Sequence, residues 1–119
     1  MKLQLDQLDT VFKAFADPTR LRLLCLLRGG GEVCVCDLVA TLQLPQAKVS
    51  RHLAYLRRAG LVETRREGQW IHYRLSRAQD AVHAKMLQCL RCCLDEVPEL
   101  QADQERFNHN TCAEATDCC

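Results

Sequence analysis

Aromatic side chains are scarce, at 5% of the 119 residues, and runs of β-branched residues are few. With helix formers dominating, that balance predicts a mainly α (α+β) fold. No apolar stretch approaches the ~20 residues that cross a bilayer, so no membrane partner is expected. The opening MKLQLDQLDT lacks a basic stretch followed by a hydrophobic block, which makes the cytoplasm the expected compartment. A phosphate-binding loop and an acid–base pair are both missing, and the Cys34-x-Cys36 pair has no βαβ setting, so an enzyme is not expected.

What the chain does hold is sulfur. Nine cysteines would suggest a disulfide framework in an exported protein, but in a reducing cytosol metal binding or redox sensing is the better reading. Charge is unevenly placed as well. Residues 46–77 carry eight basic residues against Glu63 and Glu67, a net +6, which leaves −5 on the rest and +1 overall. A basic segment inside an acidic chain is the footprint of a polyanion partner. The length implies one domain, and with 48% apolar residues its core is modest, so pairing of two copies is expected to add stability.

Leu5, Leu8, Val11, Phe12 and Phe15 recur at helical spacing and predict a first helix ending near Asp17-Pro18. There Asp17 caps a second, Leu-rich and central helix, which Gly29-Gly30-Gly31 stops. A short third helix is expected from about Val35–Asp37 to Leu42. After the Leu44-Pro45 turn a fourth runs from Gln46 to Ala59, with Gly60 as its C-terminal cap. Residues 61–75 read as a β-hairpin about Glu67-Gly68, with Trp70 and Tyr73 expected in the core. Ser76-x-x-Gln79 matches a capping box for a last helix running to Val97 and closed by Pro98. Five or so helices are expected in all. The acidic, aperiodic remainder is expected to be a tail. The expected organisation is a DNA-binding and dimerisation domain over 1–98 and a flexible Cys-containing tail over 99–119.

A short helix, a turn, a second helix and a basic hairpin is the order of a winged helix-turn-helix, whose second helix enters the major groove while the hairpin wing touches flanking backbone. On the 46–59 helix, Val49, Leu53 and Leu56 form an apolar face, and Ala47, Arg51, Ala54 and Arg58 lie opposite. Candidate DNA contacts are Gln46, Lys48, Ser50, Arg51, His52, Tyr55 and Arg58. Gln46 sits at a helix N-terminus, where anions are favoured, and His52 is equally suited to packing. In the wing, Arg65, Arg66 and Gln69 are the candidate phosphate contacts.

The segments FADPTRLRLLCLL and EVCVCDLVATLQLPQAKVSRHLAYLRRAGLVETRREGQWIHYRL resemble, over roughly residues 5–97, the ArsR/SmtB family of metal-responsive repressors. The resemblance rests on Asp17-Pro18-Thr19-Arg20, Val49-Ser50-Arg51-His52-Leu53, Arg58-Ala59-Gly60-Leu61-Val62 and Arg66-Glu67-Gly68, in family order. It implies a homodimer in which the first and last helices pair, an operator in double-stranded DNA, and repression relieved by an inducer. Glu32-Val33-Cys34-Val35-Cys36-Asp37-Leu38 is similar to the segment with which the family's arsenic and antimony sensors hold their inducer. That implies arsenite or antimonite on Cys34 and Cys36, although the family's third cysteine is Val39 here. Residues two apart in a helix point ~200° apart, so closure of both thiolates on one ion is expected to unwind the helix start and depopulate the DNA-competent state.

Cys89, Cys92 and Cys93 form a second candidate site, gathered within a ~100° arc of one helix and suited to a trigonal thiophilic ion. Val82, Met86, Cys89, Cys93 and Val97 equally form an apolar stripe suited to a dimer seam. The zinc frame that some family members carry on this helix reads Asp80, Val82, Cys93 and Glu96 here, without its histidines, so a zinc site is not expected. Cys112, Cys118 and Cys119 could lend a third thiolate, Cys25 is expected to be buried and inert, and His83 and His109 have no partner at ligand spacing. Two alternatives stay open within DNA binding, a thiol-redox repressor and a cadmium- or lead-type sensor.

Overall fold

The computed structural model describes residues 4–92 and 94–113. Its elements run α1 (Leu5–Phe15), α2 (Pro18–Leu27), β1 (Val33–Cys34), α3 (Val35–Leu42), α4 (Gln46–Arg58), β2 (Val62–Glu67), β3 (Trp70–Leu75), α5 (Ala81–Cys92) and α6 (Pro98–Ala113). The first four helices and the hairpin fall where local chemistry places them. Asp17 accepts the Arg20 N–H at 3.1 Å and Pro18 opens α2. Gln43 closes α3 in the left-handed region at φ +57°, and Gly60 follows α4 at φ +82°. Leu23, Leu24 and Leu27 of α2 are fully buried against Leu38 of α3 and Leu53 and Leu56 of α4, so α2 is central as its composition predicts.

The sheet is antiparallel in the order β1-β3-β2. β2 and β3 form the wing hairpin, with Glu63 opposite Arg74 and Arg65 opposite His72. The short strand β1, absent from the sequence reading, pairs Val33 with Tyr73 and Cys34 with His72. Tyr73 is half-buried, but Trp70 stays 39% exposed, contrary to its expected place in the core. It lies opposite Glu67 at the tip of the ladder, beyond the part of the sheet that packs on the helices.

Three boundaries after the wing differ from expectation. Ser76 does not cap a helix; its N–H donates to the Leu61 carbonyl at 2.9 Å, and Asp80 instead accepts the His83 N–H at 2.8 Å ahead of α5. α5 then stops at Cys92, where Arg28 from the end of α2 donates to the Leu90 carbonyl at 2.9 Å and pairs with Asp95 at 3.2 Å. Pro98 starts a sixth helix rather than ending the fifth, so the expected tail is helical up to Ala113. α6 buries Leu100 and Asp103 against α2 and α3. Asp103 accepts from Arg22 at 2.8 and 2.9 Å and from Arg106 at 2.7 Å, and Arg106 donates onward to the Thr41 carbonyl at 2.8 Å. A buried face that includes a carboxylate carries no hydrophobic period, which is why this helix read as a tail. Cys118 and Cys119 lie outside the described residues.

His83 is 2% exposed, its Nδ1 accepting the Gln79 N–H at 3.2 Å while Nε2 has no partner among the described residues. Burial pushes its pKa down, against the pull of Asp80. A depressed histidine makes the unfolded chain the better proton acceptor, so this stabilisation is complete above the unfolded value near 6.5 and is lost as pH falls below it. Urea unfolding between pH 8 and 5 is expected to show the parent losing up to about 1.4 kcal/mol per pH unit from this source. His83→Leu should remove that part of the slope; an unchanged slope would assign it to other groups.

Candidate DNA-binding face and thiol site

The turn from Gln43 to Pro45 sets α4 across α3 with Val49, Leu53 and Leu56 buried. Gln46, Ala47, Arg51 and Arg58 are exposed on α4, and Lys48 and Ser50 are half-buried beside them. Arg51 makes no ion pair among the described residues, so its guanidinium is available. His52 and Tyr55 have internal duties. Arg20 lies 4.0 Å over the Tyr55 ring, its Nη1 is 3.4 Å from His52 Nδ1, and it donates to the Ala14 and Lys13 carbonyls at 2.9 and 2.8 Å. Asp17 is 3.8 Å from the same His52 nitrogen. Desolvation lowers the His52 pKa, with Asp17 opposing. Arg20 thus fastens α4 to the end of α1, a positioning role that sequence reasoning missed although Asp17-Pro18-Thr19-Arg20 had stood out as a motif.

In the wing, Arg66 and Gln69 are exposed as expected. Arg65 is already engaged, with Nε 2.9 and 3.0 Å from the two Glu32 carboxylate oxygens and Nη2 at 2.8 Å from Glu32 and 3.5 Å from Glu67. Arg65 holds the Glu32 carboxyl below its usual pKa. This fork ties the segment before β1 to the wing and competes with any phosphate for Arg65. Glu32→Gln is therefore expected to tighten DNA binding a few-fold and steepen its salt dependence by about one counterion. Fluorescence anisotropy over a salt series checks this, and an unaltered slope would show that Arg65 does not reach DNA.

Cys34 and Cys36 sit at the β1–α3 junction. Cys34 is the N-cap of α3, with extended backbone at φ −68° and ψ 141°, and Cys36 is in the first turn. The pair is therefore not separated by a helical twist, and the two sulfurs lie 3.1 Å apart. The unwinding expected from helix geometry is unnecessary, because β1 pairing already holds Cys34 out of the helix. Cys34 is 1% exposed and a free thiol, whereas Cys36 is disulfide-bonded. An ion at the roughly 2.3 Å typical of metal–thiolate bonds would subtend about 85° between sulfurs at this spacing, compatible with a pyramidal soft ion. Among the described residues no group of three or more His, Cys, Asp or Glu side chains is arranged to hold a metal.

Residues 17–64 match the model of the bacterial regulatory proteins of the arsR family. The chain is also 44% identical over 99 residues to the arsenical resistance operon repressor of Escherichia coli K12, covering 82% of this chain and 85% of that protein. The chain belongs to the ArsR family. HlyU from Vibrio cholerae superposes with a TM-score of 0.65 at 37% identity, over 76% of this chain and 95% of that one. A homodimeric winged helix-turn-helix DNA-binding domain from Mycobacterium bovis does so with a TM-score of 0.63 at 34% identity, over 80% and 84%. The fold is accordingly a winged helix-turn-helix, and the ArsR match spans α2, the thiol pair, α4 and the start of β2.

The other thiols of this ArsR chain are not brought into one group among the described residues. Cys89 is half-buried and Cys92 exposed on α5, while Cys93 lies outside the described residues. Burial pushes the Cys25 thiol up to about 11, which leaves it protonated and inert at neutral pH. No helix among the described residues is long and apolar enough to cross a membrane.

Proposed function

We propose that this ArsR chain is a repressor that binds operator DNA as a dimer through α4 and the wing and releases it when Cys34 and Cys36 bind arsenite or antimonite. The observation carrying this reading is the 3.1 Å approach of the two sulfurs at a junction shared by the wing sheet and the helix-turn-helix. Cys34 pairs with His72 of the wing strand, and α3 begins at the next residue. A soft ion bonded to both sulfurs draws on the wing and on α3 together, and it releases DNA to the extent that it binds the displaced arrangement more tightly. Leu5 and Phe12 of α1, 80% and 51% exposed, support pairing of α1 and α5 between two copies, as does the homodimeric Mycobacterium bovis relative.

The disulfide-bonded state of Cys36 favours a second reading, in which thiol oxidation rather than metalloid binding is the signal. Titrating the reduced protein on labelled operator DNA with arsenite, antimonite, cadmium and peroxide decides between them. Release by arsenite and antimonite under reducing conditions is the expected result. Release by peroxide alone would establish the redox reading, and release by cadmium alone a soft-metal sensor.

A further inference from the structure

We propose that α6 is a buttress that sets the recognition helix for DNA, with Asp103 as its positioning residue, orienting two arginines onto the end of α3. The inference rests on the DNA-binding reading above and names an element on which that binding depends. Asp103 is 2% exposed and accepts a bidentate pair from Arg22, Nε at 2.8 Å and Nη2 at 2.9 Å, together with Arg106 Nη2 at 2.7 Å. Both arginines also donate to α3. Arg106 Nε reaches the Thr41 carbonyl at 2.8 Å, and Arg22 Nη2 lies 3.4 Å from the Leu42 carbonyl. The last carbonyls of a helix have no partner within it, and cationic donors are favoured there. These two stand directly before Gln43, where the backbone turns left-handed on its way to α4 at Gln46. One carboxylate therefore fixes, through two guanidiniums, the turn from which α4 is set.

Apolar packing alone does not hold α6 in place. Among its described residues Leu100 is the sole buried apolar side chain, and Phe107 is half-buried. A cavity of about 470 Å³ is lined by both Phe107 and Cys34, and another of about 210 Å³ by Leu100, Leu94 and Leu21. A buried ion network that loses one member strands the others, so the docking of α6 answers to Asp103. Asparagine at 103 keeps the shape and removes a negative charge, which by electrostatics alone would tighten binding of a polyanion. The buttress predicts the opposite sign.

The test compares the parent, Asp103→Asn and Arg106→Gln by anisotropy, at matched salt and at a temperature where circular dichroism shows them folded. The probes are a duplex that the parent selects from a random pool and its scrambled form. Hydrogen exchange is followed at the amides of Gln43, Lys48 and Val49, which donate to the Val39 and Pro45 carbonyls. Preference for the selected duplex is expected to fall about tenfold in Asp103→Asn and about threefold in Arg106→Gln. Those three amides should exchange faster while the Leu23 and Leu53 amides keep the parent's protection. Arg106→Gln leaves the Arg22–Asp103 pair intact, so it decides alone if Asp103→Asn does not fold. An unchanged preference, or a fall without faster exchange at the turn or with lost protection at Leu23 and Leu53, overturns the buttress and leaves the DNA-binding reading standing. If the parent selects no duplex, both fall.

Discussion

Arg51→Ala is expected to cost about 1–3 kcal/mol in operator affinity, a loss of roughly 5- to 150-fold, with no change in melting temperature. Arg51 is exposed on α4, on the opposite side from the buried Val49, Leu53 and Leu56, and makes no ion pair among the described residues. Its removal therefore leaves no internal partner stranded. A bidentate contact to a guanine edge would lose affinity selectively for the operator, whereas a phosphate contact would weaken all duplexes alike. Anisotropy with operator and scrambled DNA at matched salt separates the two. Equal binding of variant and parent to the operator would remove α4 from the groove.

Cys34→Ser and Cys36→Ser are each expected to keep operator binding but resist arsenite up to about 100 times the concentration that empties the parent's operator, because release needs a large difference in ligand affinity between two states. Folding should survive. Cys34 occupies the N-cap of α3 without a side-chain capping hydrogen bond, and serine is among the best residues for that position. Cys25→Ser should behave as the parent, since that thiol stays protonated. Should both variants respond normally while a change at Cys89, Cys92 or Cys93 abolishes release, the inducer sits on α5 and acts on the spacing of two protomers over their half-sites.

The recognition helix, the hairpin and the Asp17 and Gly60 caps were legible in the sequence because each follows from residues within a few positions of one another. The Cys-x-Cys pair stood out in the sequence as a candidate site, whereas its geometry did not. An extended Cys34 depends on pairing with His72, 38 positions further along the chain, which no local pattern reports. Arg65 likewise reads as a candidate phosphate contact, and its Glu32 partner, 33 positions earlier, is something no local pattern reports.

Composition, periodicity and local capping determined by themselves the order of the first four helices, the turn and the basic wing, and with it the exposed basic face of α4. Only the tertiary structure decided that Pro98–Ala113 is a docked helix, that the two sulfurs meet, and that a cavity opens beside them. The reason is physical. Helical period and caps act over one or two turns, whereas the Asp103 network, the β1–β3 pairing and the cavity walls join residues from distant parts of the chain, whose proximity exists only once the core has closed.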